Sequence, residues 1–213
     1  MWELVKAGGW LMIPLVICSI FTVAITIERF IRLKKSMVLP SSLYMKANSS
    51  VKDVVQHMEQ SKDLQQSTLG RVLTAGYASK NQSEQYARAQ MEVTASQEIG
   101  YLEKNINFLG TLSAVAPLLG LLGTVIGIIE AFLMIDIGTN SDPVLMMPGI
   151  SKALITTAAG MLIAVPALFA HRYFQRLVQE YVAELEQQST LFHAALFYKK
   201  APEVESQDIQ KAS

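Results

Sequence analysis

Three stretches of this chain carry no Asp, Glu, Lys or Arg: Ala7 to Ile27, Asn105 to Ile129, and Ala153 to Ala170. A helix needs roughly 20 predominantly apolar residues to cross a hydrocarbon core of about 30 Å. The first two are long enough. The third becomes so if Pro148 to Ser151 form its first turn and Lys152 reaches toward the headgroups. An open strand in lipid would leave its backbone groups unpaired, so each stretch reads as a helix. Composition agrees, with 17% charged residues against about 25% in soluble domains. The 18 basic and 18 acidic residues of the 213 leave no excess of cations for nucleic-acid phosphates. One cysteine, Cys18, excludes a disulfide framework and a cysteine-rich zinc site. Whole-chain disorder is excluded by 51% apolar content. The fold class is an all-α integral membrane protein with three transmembrane helices, the second and third extended far into the cytoplasm.

The first stretch is longer than a signal-peptide core and lacks an Ala-x-Ala site. It ends at Glu28-Arg29 and Arg32-Leu33-Lys34-Lys35, a stop-transfer pattern that marks a retained helix. Trp2 and Trp10 suit its interface. Arg29, Arg32, Lys34 and Lys35 follow the first helix, Lys104 precedes the second, and Arg172 and Arg176 follow the third. The link between the second and third holds Asp136 and Asp142, with no basic residue before Lys152. By the positive-inside rule the N-terminus is outside and the C-terminus inside. The expected organisation is an outer N-terminus and first membrane helix over 1–27, then a cytoplasmic helical loop over 28–104. Membrane helices follow over 105–135 and 150–170, joined by a short periplasmic link over 136–149. A cytoplasmic helical extension over 171–200 and a disordered tail over 201–213 complete the chain.

Pro40-Ser41-Ser42 marks a turn, and two short helices split near Ser61 are expected between Ser41 and Gly76. Asn81 with Glu84 resembles a capping box. After it Met91, Ala95, Ile99, Leu102, Ile106 and Leu109 recur at steps of three and four, so the helical period continues into the membrane. One helix from about Ser83 to about Ile135 would be on the order of 80 Å long. Leu177, Tyr181, Leu185, Gln188, Phe192 and Ala195 extend the third helix in the same way. These apolar faces pack within a subunit, between subunits, or both.

No phosphate loop, zinc spacing or nucleophile elbow occurs, so neither an enzyme, a cofactor nor a metal site is expected. His57, His171 and His193 lie far apart, and Cys18 reads as a small packing residue. The second and third membrane helices are rich in small or helix-distorting residues, among them Pro117, Gly120, Gly123, Gly127, Gly160 and Pro166. Such residues let helix backbones approach closely in lipid, so these are helix-packing positions. Thr124 and Thr157 fit packing less well. Their hydroxyls either bond back to the preceding turn or line a polar passage.

Ala116-Pro-Leu-Leu-Gly-Leu-Leu-Gly-Thr-Val125, Pro148-Gly-Ile-Ser-Lys-Ala-Leu-Ile-Thr-Thr-Ala-Ala-Gly160 and Ala164-Val-Pro-Ala167 resemble the MotA/TolQ/ExbB proton-channel family. The likeness is nearest to ExbB and TolQ, because MotA has four membrane helices. The resemblance implies a homopentamer in the bacterial inner membrane around a central pore. That pore would hold two copies of a single-span ExbD- or TolR-like partner. It also implies that Thr124 and Thr157 line the ion pathway beside the partner's Asp, and that a TonB- or TolA-like protein carries the work to the outer membrane. The family often has Glu in the Ile-Ser/Ala-Glu-Ala-Leu stretch, where this chain has Lys152.

Glu130 lies six residues outward of Thr124 and Lys152 five outward of Thr157, about 9 and 7.5 Å by helical rise. At matched depth near the outer face the two would pair, or each would reach water separately. Threonine does not titrate in the physiological range, and the charge-free stretches also lack His. A proton channel made of this chain therefore needs a carboxylate from elsewhere. The leading expectation is an ExbB-like channel and motor subunit serving TonB-dependent transport. The alternatives are a TolQ-like subunit for envelope maintenance and a non-conducting membrane scaffold. A small-solute transporter is disfavoured by the lack of a repeated half.

Overall fold

The computed structural model describes residues 8–45, 51–136 and 143–198, with the side chains of 134–136, 143 and 145 excepted. Every described element is helical. The α-helices are α1 (Met12–Arg32), α2 (Lys35–Val38), α3 (Val51–Gln60), α4 (Lys62–Gln66), α5 (Thr68–Ala78), α6 (Glu84–Asp136) and α7 (Met147–Phe197), with 3-10 turns at Ser41–Leu43 and Pro143–Met146. Helices α1, α6 and α7 are long and apolar enough to cross a membrane. The tail over 201–213 and residues 137–142 of the link over 136–149 lie outside the described residues, as does Trp2. The chain divides into two compact units, Met1–Arg32 with Leu102–Val178 and Leu33–Tyr101 with Gln179–Ser213.

In the first unit, α1 buries one face. Met12, Leu15, Cys18, Thr22, Ile25 and Arg29 are buried at steps of three and four, while Ile13, Ile20, Val23, Ile27 and Phe30 are exposed. Thr22 and Thr26 return their hydroxyls to the carbonyls of Cys18 and Thr22 at 2.8 and 2.7 Å, so neither leaves a buried donor unpaired. A face of exposed isoleucine, valine and phenylalanine is the pattern of a helix solvated by lipid.

The second unit has a water-soluble logic. Leu69, Val72, Leu73, Ala87 and Leu43 are fully buried. Ser67 caps α5 by accepting from Gly70 N at 3.1 Å, and Arg71 pairs with the nearly buried Glu98 of α6 at 2.8 Å. The segment after α1 is strapped to α7. The Tyr181 hydroxyl donates to Leu33 O at 2.8 Å, the Tyr44 hydroxyl to Glu184 Oε1 at 2.7 Å, and Met45 N to Gln188 Oε1 at 2.8 Å. Lys35 Nζ pairs with Glu184 at 2.9 Å.

Two local expectations are revised. Helix α6 is capped by Ser83, whose hydroxyl accepts from Tyr86 N at 3.2 Å, and not by Asn81. The region expected to hold two short helices breaks at Ser61 and again at Ser67, giving α3, α4 and α5.

Candidate functional site

The antiparallel seam between α6 and α7 is where the small residues converge. A Cβ built on Gly127 would lie 2.7 Å from Gly149 O and 2.8 Å from Ala153 Cβ. One on Gly160 would lie 2.6 Å from Ala116 O and 3.1 Å from Gly120 Cα, and one on Gly120 3.1 Å from Thr157 Cα. At Gly123 a Cβ would overlap Thr156 Oγ1. These approaches of backbone to backbone exist only because the side chains are missing. The seam joins Gly120, Gly123, Gly127 and Gly160. Of the two prolines, Pro117 is half-buried and Pro166 exposed.

Hydroxyls are set into this seam. Thr156 is fully buried and donates to Ala153 O at 2.9 Å. Thr157 crosses between helices, donating to Gly120 O at 3.0 Å. Thr124 bonds back to Leu121 O at 2.6 Å. Thr124 and Thr157 are both half-buried, and their hydroxyls share no acceptor. Each donates its proton to a carbonyl and keeps its oxygen lone pairs for a water or a cation.

Charges stand at both ends of the first unit. At one end Lys152 Nζ donates to Glu130 Oε1 at 2.9 Å and Oε2 at 2.8 Å. At the other, the Glu28 carboxylate accepts from Asn105 Nδ2 at 2.6 Å and pairs with Arg32 at 3.2 Å and Arg29 at 3.3 Å. Arg29 Nη1 also donates to Leu102 O at 3.1 Å. The His171 ring sits against Gly110, where a Cβ would lie 2.8 Å from Cε1. Its Nδ1 lies 2.9 Å from Ile106 O. A carbonyl only accepts, so this nitrogen carries the proton. The contacts of Asn105 and His171 escaped sequence reasoning.

A helical unit with three apolar spans, a glycine-lined seam with hydroxyls inside it and ion pairs at its ends defines a multi-pass helical membrane protein. Residues 62–187 match the family described as the MotA/TolQ/ExbB proton channel family, and the chain belongs to that family. It is 31% identical over 199 residues to a Synechocystis protein named ExbB-like 1, covering 90% of this chain and 78% of that one. It is 34% identical over 113 residues to the Tol-Pal system protein TolQ of Haemophilus influenzae, covering 51% and 50%. Against the biopolymer transport protein ExbB of Salmonella typhimurium it is 35% identical over 85 residues, covering 40% and 35%. The chain thus spans half or less of the last two relatives.

Proposed function

We propose that this chain is an ExbB-like subunit of an ion-powered motor in a bacterial inner membrane. Its N-terminus is periplasmic, and its loop over 28–104 and the extension of α7 are cytoplasmic. With a single-span ExbD-like partner it uses the proton motive force to energise TonB-dependent outer-membrane transport. One observation carries the reading. The charge-free spans of α6 and α7 offer an ion no titratable side chain, only neutral polar groups, chiefly the hydroxyls of Thr124 and Thr157, between the Glu130–Lys152 pair and the Glu28 cluster. Hydroxyls solvate a proton but do not carry it by changing charge, so the titrating carboxylate comes from the partner. Five copies around two partner helices, as the family resemblance implies, would present Thr124 and Thr157 to that carboxylate. The Glu130–Lys152 pair leaves the outer end electrically neutral, which lowers the penalty of two charges at the membrane boundary.

Proton flux into liposomes tests this. The chain alone is expected to conduct little, and the chain with an Asp-bearing single-span partner to conduct well. Substantial flux without a partner overturns the reading. The internal bonds of Thr124 and Thr157 favour a second reading, a non-conducting scaffold in which both hydroxyls only tie backbone. Thr124→Val and Thr157→Val separate the two. A channel loses most of its flux, whereas a scaffold keeps its assembly and its phenotype.

A further inference from the structure

Lys152 does not reach Glu130 along an open path. The turn that precedes α1 stands beside it. Gly9 has φ of 72°, and a Cβ placed there would overlap Lys152 Cε and lie 2.8 Å from Nζ and 3.5 Å from Cδ. Three consecutive heavy atoms at the end of the lysine stem therefore rest on a backbone that has no side chain. The turn is itself held in place: Met12 N donates to Gly9 O at 3.1 Å and Ile13 N to Trp10 O at 3.1 Å. Both Glu130 oxygens accept from the same ammonium. The Lys152 side chain is one-fifth exposed and that of Glu130 two-fifths, so the cation is the more enclosed partner.

We propose that Gly9 is a positioning residue for this ion pair: its bare Cα, in the turn that opens α1, is the surface over which Lys152 bends to reach both oxygens of Glu130. The inference rests on the pair described above and assigns its geometry to a third element. Glycine is needed at position 9 for two separable reasons. The left-handed backbone favours it, and a Cβ would push the end of the lysine away from its seat. Asparagine tolerates the first condition and violates the second. Gly9→Asn therefore isolates the seat from the turn.

The test uses the full-length chain in detergent. A water-soluble acetylating ester labels free amines, and mass spectrometry reads each lysine. Lys152 is expected to label slowly in the wild type. In Gly9→Asn its labelling rises on the order of tenfold, the factor that goes with losing a charge-assisted hydrogen bond. The exposed Lys104 labels at an unchanged rate. Glu130→Gln is the companion variant. If it raises Lys152 labelling and Gly9→Asn does not, the pair stands and the positioning role of Gly9 is overturned. If neither variant raises it, the pair itself fails and the proposal with it. Melting temperature covers the case in which Gly9→Asn disturbs the turn. The variant should lower it in the wild type and leave it unchanged in a Glu130→Gln/Lys152→Ala background. An equal fall in both backgrounds overturns the proposal.

Discussion

Each glycine of the membrane unit stands against a particular neighbour, and that neighbour decides what a substitution does. A Cβ at Gly160 meets the Ala116 carbonyl at 2.6 Å, and both atoms belong to backbone that cannot step aside. Gly160→Val is expected to destabilise by about 3 kcal/mol or more, at the upper end of overpacking penalties. Gly100 of α6 is the control, because a Cβ there meets nothing within 4 Å. Gly100→Ala should stabilise by roughly 0.5–1 kcal/mol through helix propensity alone. Thermal melts of the purified variants check both. Sequence alone gives Gly100 and Gly160 the same letter; only the facing carbonyl tells them apart. The Glu130–Lys152 match was nevertheless legible, because helical rise converts counts of five and six residues into depth. The Gly9 seat was not, since it depends on a backbone angle in a turn that precedes the helix.

Among elements, the strap from Leu33 to Met45 has the most specific chemistry. Burial alone would raise the Glu184 pKa, but hydrogen bonds from Tyr44 and Lys35 and the lysine charge outweigh it and hold the carboxyl below its ordinary range. Burial first, then the carboxylate it serves, pushes the Tyr44 hydroxyl upward, so it remains a donor. A lowered carboxyl pKa adds stability that is complete above the ordinary carboxylate range and fades as pH falls through the folded value. Glu184→Gln should therefore be less stable than the wild type near pH 7, with the two converging under acid. Denaturation followed by circular dichroism at both pH values checks this. The elements were readable where periodicity ran long, as in α6 and α7, and less so where polar residues cluster. Asn81 and Ser83 are both good caps, and Glu84 sits three residues after the former. The Ser83 hydroxyl wins by reaching Tyr86 N. Ser67 closes α4 with its backbone N–H and caps α5 with its side chain.

For the whole molecule, membership of the MotA/TolQ/ExbB family sets the context and the assembly remains to be counted. Native mass spectrometry of this chain co-expressed with an Asp-bearing single-span membrane protein is expected to show five copies holding two of the partner. A lone chain, or an oligomer that never captures the partner, would favour the scaffold. The α6–α7 seam has a further consequence for any working cycle. Tightly packed interfaces adopt discrete arrangements and do not deform continuously. Here backbone lies on backbone from Gly127 against Gly149 to Gly120 against Thr157, and sliding by one residue would drive Cβ atoms into carbonyls. Between Gly120 and Gly127 the seam is a single stiff strut with no gearing of its own. Any displacement in such a cycle would fall to the long outward-facing side chains Leu118, Phe132, Leu162 and Phe169, whose rotamers yield at little expense.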